Sequence, residues 1–311
     1  MPDKRDIPHL QDTIAWLLES QTPSIRYLTL TRVKGLPEKA PEVSATRHSI
    51  SSSPPVTRIL AAQRPEGHWM QAKHHYSPKY KSSHWSMLLL TELGLEPENA
   101  GLQKGAEFML AKMEKELPYY LSGQKKGFGC FWGNWLRYQL YCGKGNDARV
   151  EQAIEFTCAD LERGGQCRYN SNLPCAWGVA RGLFGLVLIP ESSRDEKVHH
   201  AIKAGIRFLL EDHDLLAADY PADRKPHPLW FSLSFPLFYH ADSLFVLRVL
   251  KELNALDHPD AQKALGWLLE KQTRSGIWRG GSPFSDRTRP FMVKPDGVER
   301  WITLHALEVL T

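Results

Sequence analysis

Five times along this 311-residue chain an apolar, helix-length run begins just after a cluster of aromatic, Cys or His residues. The starts are His84-Trp85, Cys130-Phe131-Trp132, Cys175-Ala176-Trp177, Tyr239-His240 and Arg300-Trp301. They recur at roughly 45 to 65 residues, a spacing that belongs to stacked helical hairpins, each covering its neighbour's apolar face. Amphipathic segments precede these runs at 56–63, 103–114, 149–162, 197–211 and 259–272, with charge on one face and Leu, Ala or Phe on the other. The five runs, about 83–95, 130–142, 174–188, 239–253 and 300–310, are apolar on nearly every side, as buried helices are. Alternation of exposed and buried helices predicts an all-α fold, an α/α toroid (barrel) of five to six hairpins with inner and outer rings. It forms one domain over 1–311: five hairpins over 53–311, and N-terminal helices over 1–52 that close the ring.

Composition narrows the function. Lys and Arg number 39 against 35 Asp and Glu, and neither sign forms a run, so nucleic-acid partners are not expected. A sequence pI near 8.7 allows peripheral contact with an anionic membrane. No apolar run approaches the roughly 20 residues that span a bilayer, and the N-terminus lacks the apolar stretch of a signal peptide. A cytoplasmic location follows as the expectation. The five Cys, an odd number, are then expected as reduced thiols.

The loops carry a second repeat. Gln63-Arg-Pro-Glu-Gly67-His-Trp69 returns as Gln272-Thr-Arg-Ser-Gly276-Ile-Trp278, in both cases after an outer-type segment. Gly can end the helix in a left-handed conformation, Trp can fill the seam between hairpins, and Gln can satisfy free backbone groups. These two motifs resemble the Gln-x-x-x-Gly-x-Trp repeats of the terpenoid cyclase and protein prenyltransferase superfamily. The resemblance covers the chain from about Val56 onward and is nearest to small single-toroid bacterial proteins related to squalene cyclases. It implies an α/α toroid around an apolar cavity that accepts isoprenoid chains.

The chain departs from that family at its acidic motifs. Neither the Asp-x-Asp-Asp of protonating cyclases nor the Asp-Asp-x-x-Asp of ionising synthases is present. Asp242 is the candidate acid, with His240 as its partner; a carboxyl desolvated among aromatics gains a raised pKa. Helix N-capping is the other role open to Asp242. If the hairpins are equivalent, Cys130, Cys175 and His240 face one cavity mouth and form a candidate zinc set, open at one position for catalysis. The alternative is buried Cys and a hydrogen-bonded His. Trp85, Trp132, Trp177, Phe235, Tyr239 and Trp301 are the candidate walls of an apolar cavity, suited to an isoprenoid chain and to cation–π stabilisation of a carbocation. Lys79, Lys81, Arg224, Lys225, His227, Arg279, Arg287, Arg289 and Lys294, before inner helices, are candidates for a cationic collar around a diphosphate. Two functions stay open: an enzyme of isoprenoid chemistry, cyclase-like or prenyltransferase-like, and a non-catalytic toroid that binds a lipid or a protein. Oligomeric state is not legible.

Overall fold

The computed structural model describes residues 7–125, 127–217, 227–284, 287–288 and 296–311. Among them the chain is helical, with isolated β-bridges in place of strands. Three helices open the fold: α1 (Leu10–Leu18), α2 (Pro23–Leu28), which runs into a π-helical turn (Thr29–Val33), and α3 (Pro41–Ile50). Then come α4 (Pro54–Ala61), α5 (Ser83–Glu92), α6 (Ala100–Met113), the short α7 (Leu117–Leu121), α8 (Gly129–Tyr141) and α9 (Ala148–Glu162). The chain continues with α10 (Ala176–Leu186), α11 (Glu196–Leu210), α12 (Ser243–Glu252), α13 (Pro259–Glu270) and α14 (Val298–Leu310). No described helix is long and apolar enough to cross a membrane.

Two kinds of helix alternate. In α5, α8, α10, α12 and α14 almost every residue is buried, whereas α4, α6, α9, α11 and α13 keep one exposed face. The buried helices touch in sequence: α5 meets α8, α8 meets α10, α10 meets α12, α12 meets α14, and α14 meets α2 and the π turn. Each exposed helix lies on the buried helix next to it in the chain, α6 on α5, α9 on α8, α11 on α10 and α13 on α12. Asn99, Asp147 and Asp195 cap α6, α9 and α11 by accepting backbone N–H bonds. Those caps fix where each exposed helix begins.

The two Gln-x-x-x-Gly-x-Trp motifs form the same clasp. Gln63 Nε2 donates to the carbonyls of Gly67 (3.0 Å) and Gly101 (2.8 Å), and Gln272 Nε2 to those of Gly276 (3.0 Å) and Pro8 (3.0 Å). Trp69 Nε1 donates back to the Ile59 carbonyl at 2.6 Å and Trp278 Nε1 to that of Leu268 at 2.7 Å, each ten residues upstream. Their backbone N–H groups bind the hydroxyls of Ser83 and Thr303, both at 3.0 Å, in the following buried helix. Gly67 (φ 91°) and Gly276 (φ 82°) make the required left-handed turn. The motif therefore ties one hairpin's end to the next helix. Trp230 makes a third clasp without the Gln or Gly, donating to Leu215 and accepting from Ser243 Oγ.

The tightest helix pair is α8 with α10. Glycines line the crossing: a methyl on Gly133 would overlap the Arg181 carbonyl, and one on Gly185 would press on the Gly133 carbonyl. Backbone meets backbone there. Overpacking a contact of this kind costs about 1–3 kcal/mol or more, so Gly133→Ala should lower the thermal midpoint by several degrees in a circular-dichroism melt. Gly266→Ala, on the exposed face of α13 with open space around it, should leave the midpoint unchanged or raise it, by up to about 1 kcal/mol in stability. Equal effects from the two substitutions would refute the close crossing.

Candidate functional site

The buried helices enclose charge. Each carries at least one ionic residue that turns inward: Glu92 on α5, Arg137 on α8, Arg181 on α10, Arg248 and Glu252 on α12, and Glu308 on α14, joined by Arg32 of the π turn. Arg137 Nη1 reaches Glu252 at 2.8 Å, Arg32 reaches Glu308 at 2.5 Å and Glu252 at 4.0 Å, and Arg248 Nε reaches Glu308 at 3.1 Å. Arg32 (33% exposed) and Glu252 (25%) mark the wetter end. Burial alone would push the Glu308 carboxyl up, but Arg248 and Arg32 hold it well below the usual range. Arg181 is fully buried and lowered to about 10 by desolvation, with Glu92 at 3.7 Å opposing that fall. Its guanidinium donates to the His240 carbonyl at 2.6 and 3.0 Å and lies 3.8 Å from the Phe245 ring centre.

Beside these ion pairs the interior at Asp242 is closely filled. The pocket beside Asp242, bounded also by Glu92, Phe235, Arg248 and His305, leaves about 10 Å³ for water centres. Such a space holds about one water. The sequence signal for this network was present as charges inside apolar helical runs, where an unpaired ion could not remain buried.

Asp242 is 1% exposed and stands at the N-cap of α12. Its Oδ1 accepts the Phe245 N–H at 2.8 Å and its Oδ2 the Ser234 N–H at 2.7 Å. Burial raises its pKa to about 6, against those two N–H groups and the more distant Arg248 and Arg181. Because α12 starts at Ser243, Tyr239 and His240 precede the helix instead of opening it. His240 does not partner Asp242: burial first, and then Arg181 and His227, hold its imidazole down at about 3, and its Nδ1 is buried without a hydrogen bond. The expected acid–base pair is therefore not assembled as a hydrogen-bonded dyad.

Nor is the expected zinc set. Among the described residues no group of three or more His, Cys, Asp or Glu side chains is placed to hold a metal ion. The correction for Cys130, Cys175 and His240 has a local cause. His240 lies among rings, with Trp177 at 4.3 Å and Phe284 at 4.9 Å, while the Cys175 thiol is paired electrostatically with Cys167.

The candidate aromatic wall divides into three. Trp85, Trp177 and Tyr239 do come together, with Tyr239 centred 6.0 Å from Trp85 and 6.1 Å from Trp177. Tyr76, Tyr80, Phe238 and Phe284 extend this cluster. Phe235 and Trp301 form a separate stacked pair at 4.3 Å beside His305. Trp132 packs in a seam with Tyr120, Trp135 and Phe156 and meets the main cluster through Phe131 at 5.2 Å. Tyr80 (φ 71°), Phe128 (φ 75°) and Phe238 (φ 57°) hold left-handed backbones in or beside the main cluster. Conformations of that kind, at about 1–3 kcal/mol each, persist where surrounding structure imposes them and gather at binding sites. Trp177, Tyr239, Tyr76 and Phe128 remain partly exposed, so this cluster, hereafter the aromatic cup, reaches the surface.

Of the expected collar, Lys79 lies at the cup, with its ammonium 4.4 Å from the Tyr239 ring centre and 3.3 Å from its hydroxyl. Arg287 lies 5.2 Å from the Tyr80 ring centre, and His227 packs on Trp177 at 4.9 Å. Arg224, Lys225, Arg289 and Lys294 fall outside the described residues. No protein-family model matches the chain, and no curated protein or solved structure matches it.

Two outcomes follow from the interior. Glu308→Ala strips Arg32 and Arg248 of their shared carboxylate, and removing one partner of a buried pair costs about 3–5 kcal/mol; denaturant unfolding should show a loss of that order, and a change under 1 kcal/mol would contradict the network. For Asp242, a carbon-13 carboxyl titration should give a midpoint near 6. The folded chain then binds more protons than the unfolded one between about pH 4 and 6, so this group's contribution to stability declines as pH rises through that window. A midpoint near 4 would contradict it.

Proposed function

We propose that the chain is a single α/α toroid of the terpenoid cyclase and protein prenyltransferase kind, which binds an isoprenoid-like hydrophobic ligand at its aromatic cup without transforming it. The contact order of the buried helices supports the toroid: they meet one after another, α14 meets α2, and Tyr27 and Ile50 lie against Gly94 just beyond α5. The observation that carries the binding reading is the partly exposed cluster of Tyr76, Trp85, Trp177 and Tyr239 with Lys79 on it. Aromatic faces receive an apolar chain, and the ammonium suits an anionic head group.

Catalysis by Asp242 finds less support. Both its oxygens are engaged by backbone N–H groups, and the adjoining space of about 10 Å³ is far below the roughly 300 Å³ at which ligand pockets begin. The expected setting is the cytoplasm, with the ligand taken from solution or from a membrane surface.

Farnesol and farnesyl diphosphate, titrated against intrinsic tryptophan fluorescence, test this reading. Trp177→Ala and Tyr239→Ala should each weaken both ligands about tenfold, equivalent to about 1.4 kcal/mol. Lys79→Ala should weaken the diphosphate alone. The bound molecule, recovered and analysed by mass spectrometry, should be unchanged. Absence of saturable binding would refute the ligand class, and a cyclised product lost in Asp242→Asn would replace binding with catalysis.

A further inference from the structure

Beside Phe128, at the edge of the cup, three of the five thiols gather. Cys167 opens a small hairpin in which it pairs with Leu173, its N–H donating to the Leu173 carbonyl at 3.1 Å. Cys175 follows Leu173 by two residues and has an extended backbone (φ −134°, ψ 108°), which brings it back toward the side of the bridge that Cys167 occupies. The return strand is anchored by Cys175 N–H, which donates to the Gly164 carbonyl at 3.1 Å, and by Asn170 Nδ2, which donates to the Pro174 carbonyl at 2.7 Å.

Across this hairpin the Cys175 thiol and the backbone N–H groups of Tyr169, Phe128 and Asn170 neighbour the Cys167 sulfur and favour its charged form. Gly127 (φ 75°) allows that approach, since a side chain there would press on the Cys167 backbone. Four such neighbours at one sulfur favour its thiolate. The neighbouring Cys175 thiol first, with the backbone N–H groups, brings Cys167 below the usual thiol range against its burial. Burial pushes Cys130, Cys142 and Cys158 up to about 12. The turn that carries Cys167 reaches solvent, with Tyr169 70% exposed, and Cys175 is itself partly exposed.

We propose that Cys167 and Cys175 form a thiol redox site, with Cys167 as the nucleophile toward a peroxide and Cys175 as the resolving thiol. The Cys167 thiolate attacks one peroxide oxygen, the O–O bond breaks, and hydroxide leaves to be protonated to water, giving Cys167 sulfenic acid. The Cys175 sulfur then attacks the Cys167 sulfur. The S–O bond breaks, the departing hydroxide takes the Cys175 proton as water, and a disulfide remains. Two thiols have been oxidised by two electrons and one peroxide reduced to two waters. The bond spans the hairpin next to Phe128, whose backbone N–H neighbours the reduced sulfur, so oxidation alters the rim on which the cup is built.

Hydrogen peroxide is the probe, with peptide mapping of the full chain as the readout. Substoichiometric peroxide should yield a Cys167–Cys175 disulfide, with Cys142 and Cys158 still reduced. In Cys175→Ser the oxidation should stop at a sulfenic acid that dimedone traps on Cys167, and Cys167→Ser should give neither product. Iodoacetamide should alkylate Cys167 in the reduced protein at least about tenfold faster than Cys158. Alkylation of Cys167 and Cys158 at equal rates, a first disulfide between other residues, or failure of dimedone to label Cys175→Ser would each overturn the proposal. None of these readouts depends on isoprenoid binding.

Discussion

The ion pairs from Arg137 through Glu252, Arg32 and Glu308 to Arg248 connect α8, α12, α14 and the π turn in the interior. The desolvation of these groups is offset only if all the partners arrive together in good geometry. That requirement sets the angular placement of each buried helix. Glu308 alone ties Arg32 of the π turn and Arg248 of α12, so α14 has one orientation that satisfies both. Hydrophobic contact supplies the driving force and the ions select the register. The glycine-lined crossing of α8 and α10 works in the same direction, because it positions the Arg181 backbone against α8 while its guanidinium reaches the His240 carbonyl ahead of α12.

Most of the helical order was legible because it rests on period and punctuation. Charged faces marked α6, α9, α11 and α13, and the Gln-x-x-x-Gly-x-Trp segments marked two clasps whose geometry follows from Gly, Gln and Trp chemistry alone. Helix starts were less legible. Tyr239 and His240 read as the opening of α12, yet the capping carboxylate of Asp242 delays the helix until Ser243. That four-residue shift, from 239 to Ser243, moves His240 out of register with Cys130 and Cys175, and the supposed equivalence of the helix starts fails with it. Trp230 shows the reverse situation, a clasp built by packing with no local motif to announce it.

The site was legible by residue type more than by grouping. Aromatics at helix starts do form a cup, but Trp132 turns into a seam and the Phe235–Trp301 pair is set apart, distinctions that depend on direction around each helix. The thiols followed a different logic. Cys167 carries no motif that would single it out in the sequence, whereas hairpin pairing makes it the neighbour of Cys175. Sequence separation concealed a contact that is local in strand register.

The charged interior also bears on how the chain assembles. Arg32 and Glu308 are 276 residues apart, so their pair cannot form until the last buried helix joins the first turns. Before then each ionic side chain is hydrated, which is its lowest-energy state outside the finished fold. An incomplete set of hairpins thus turns a wettable stripe, not a continuous oily one, toward its open side. The same groups that are expensive to enclose at completion make the half-built protein less adhesive to other half-built copies.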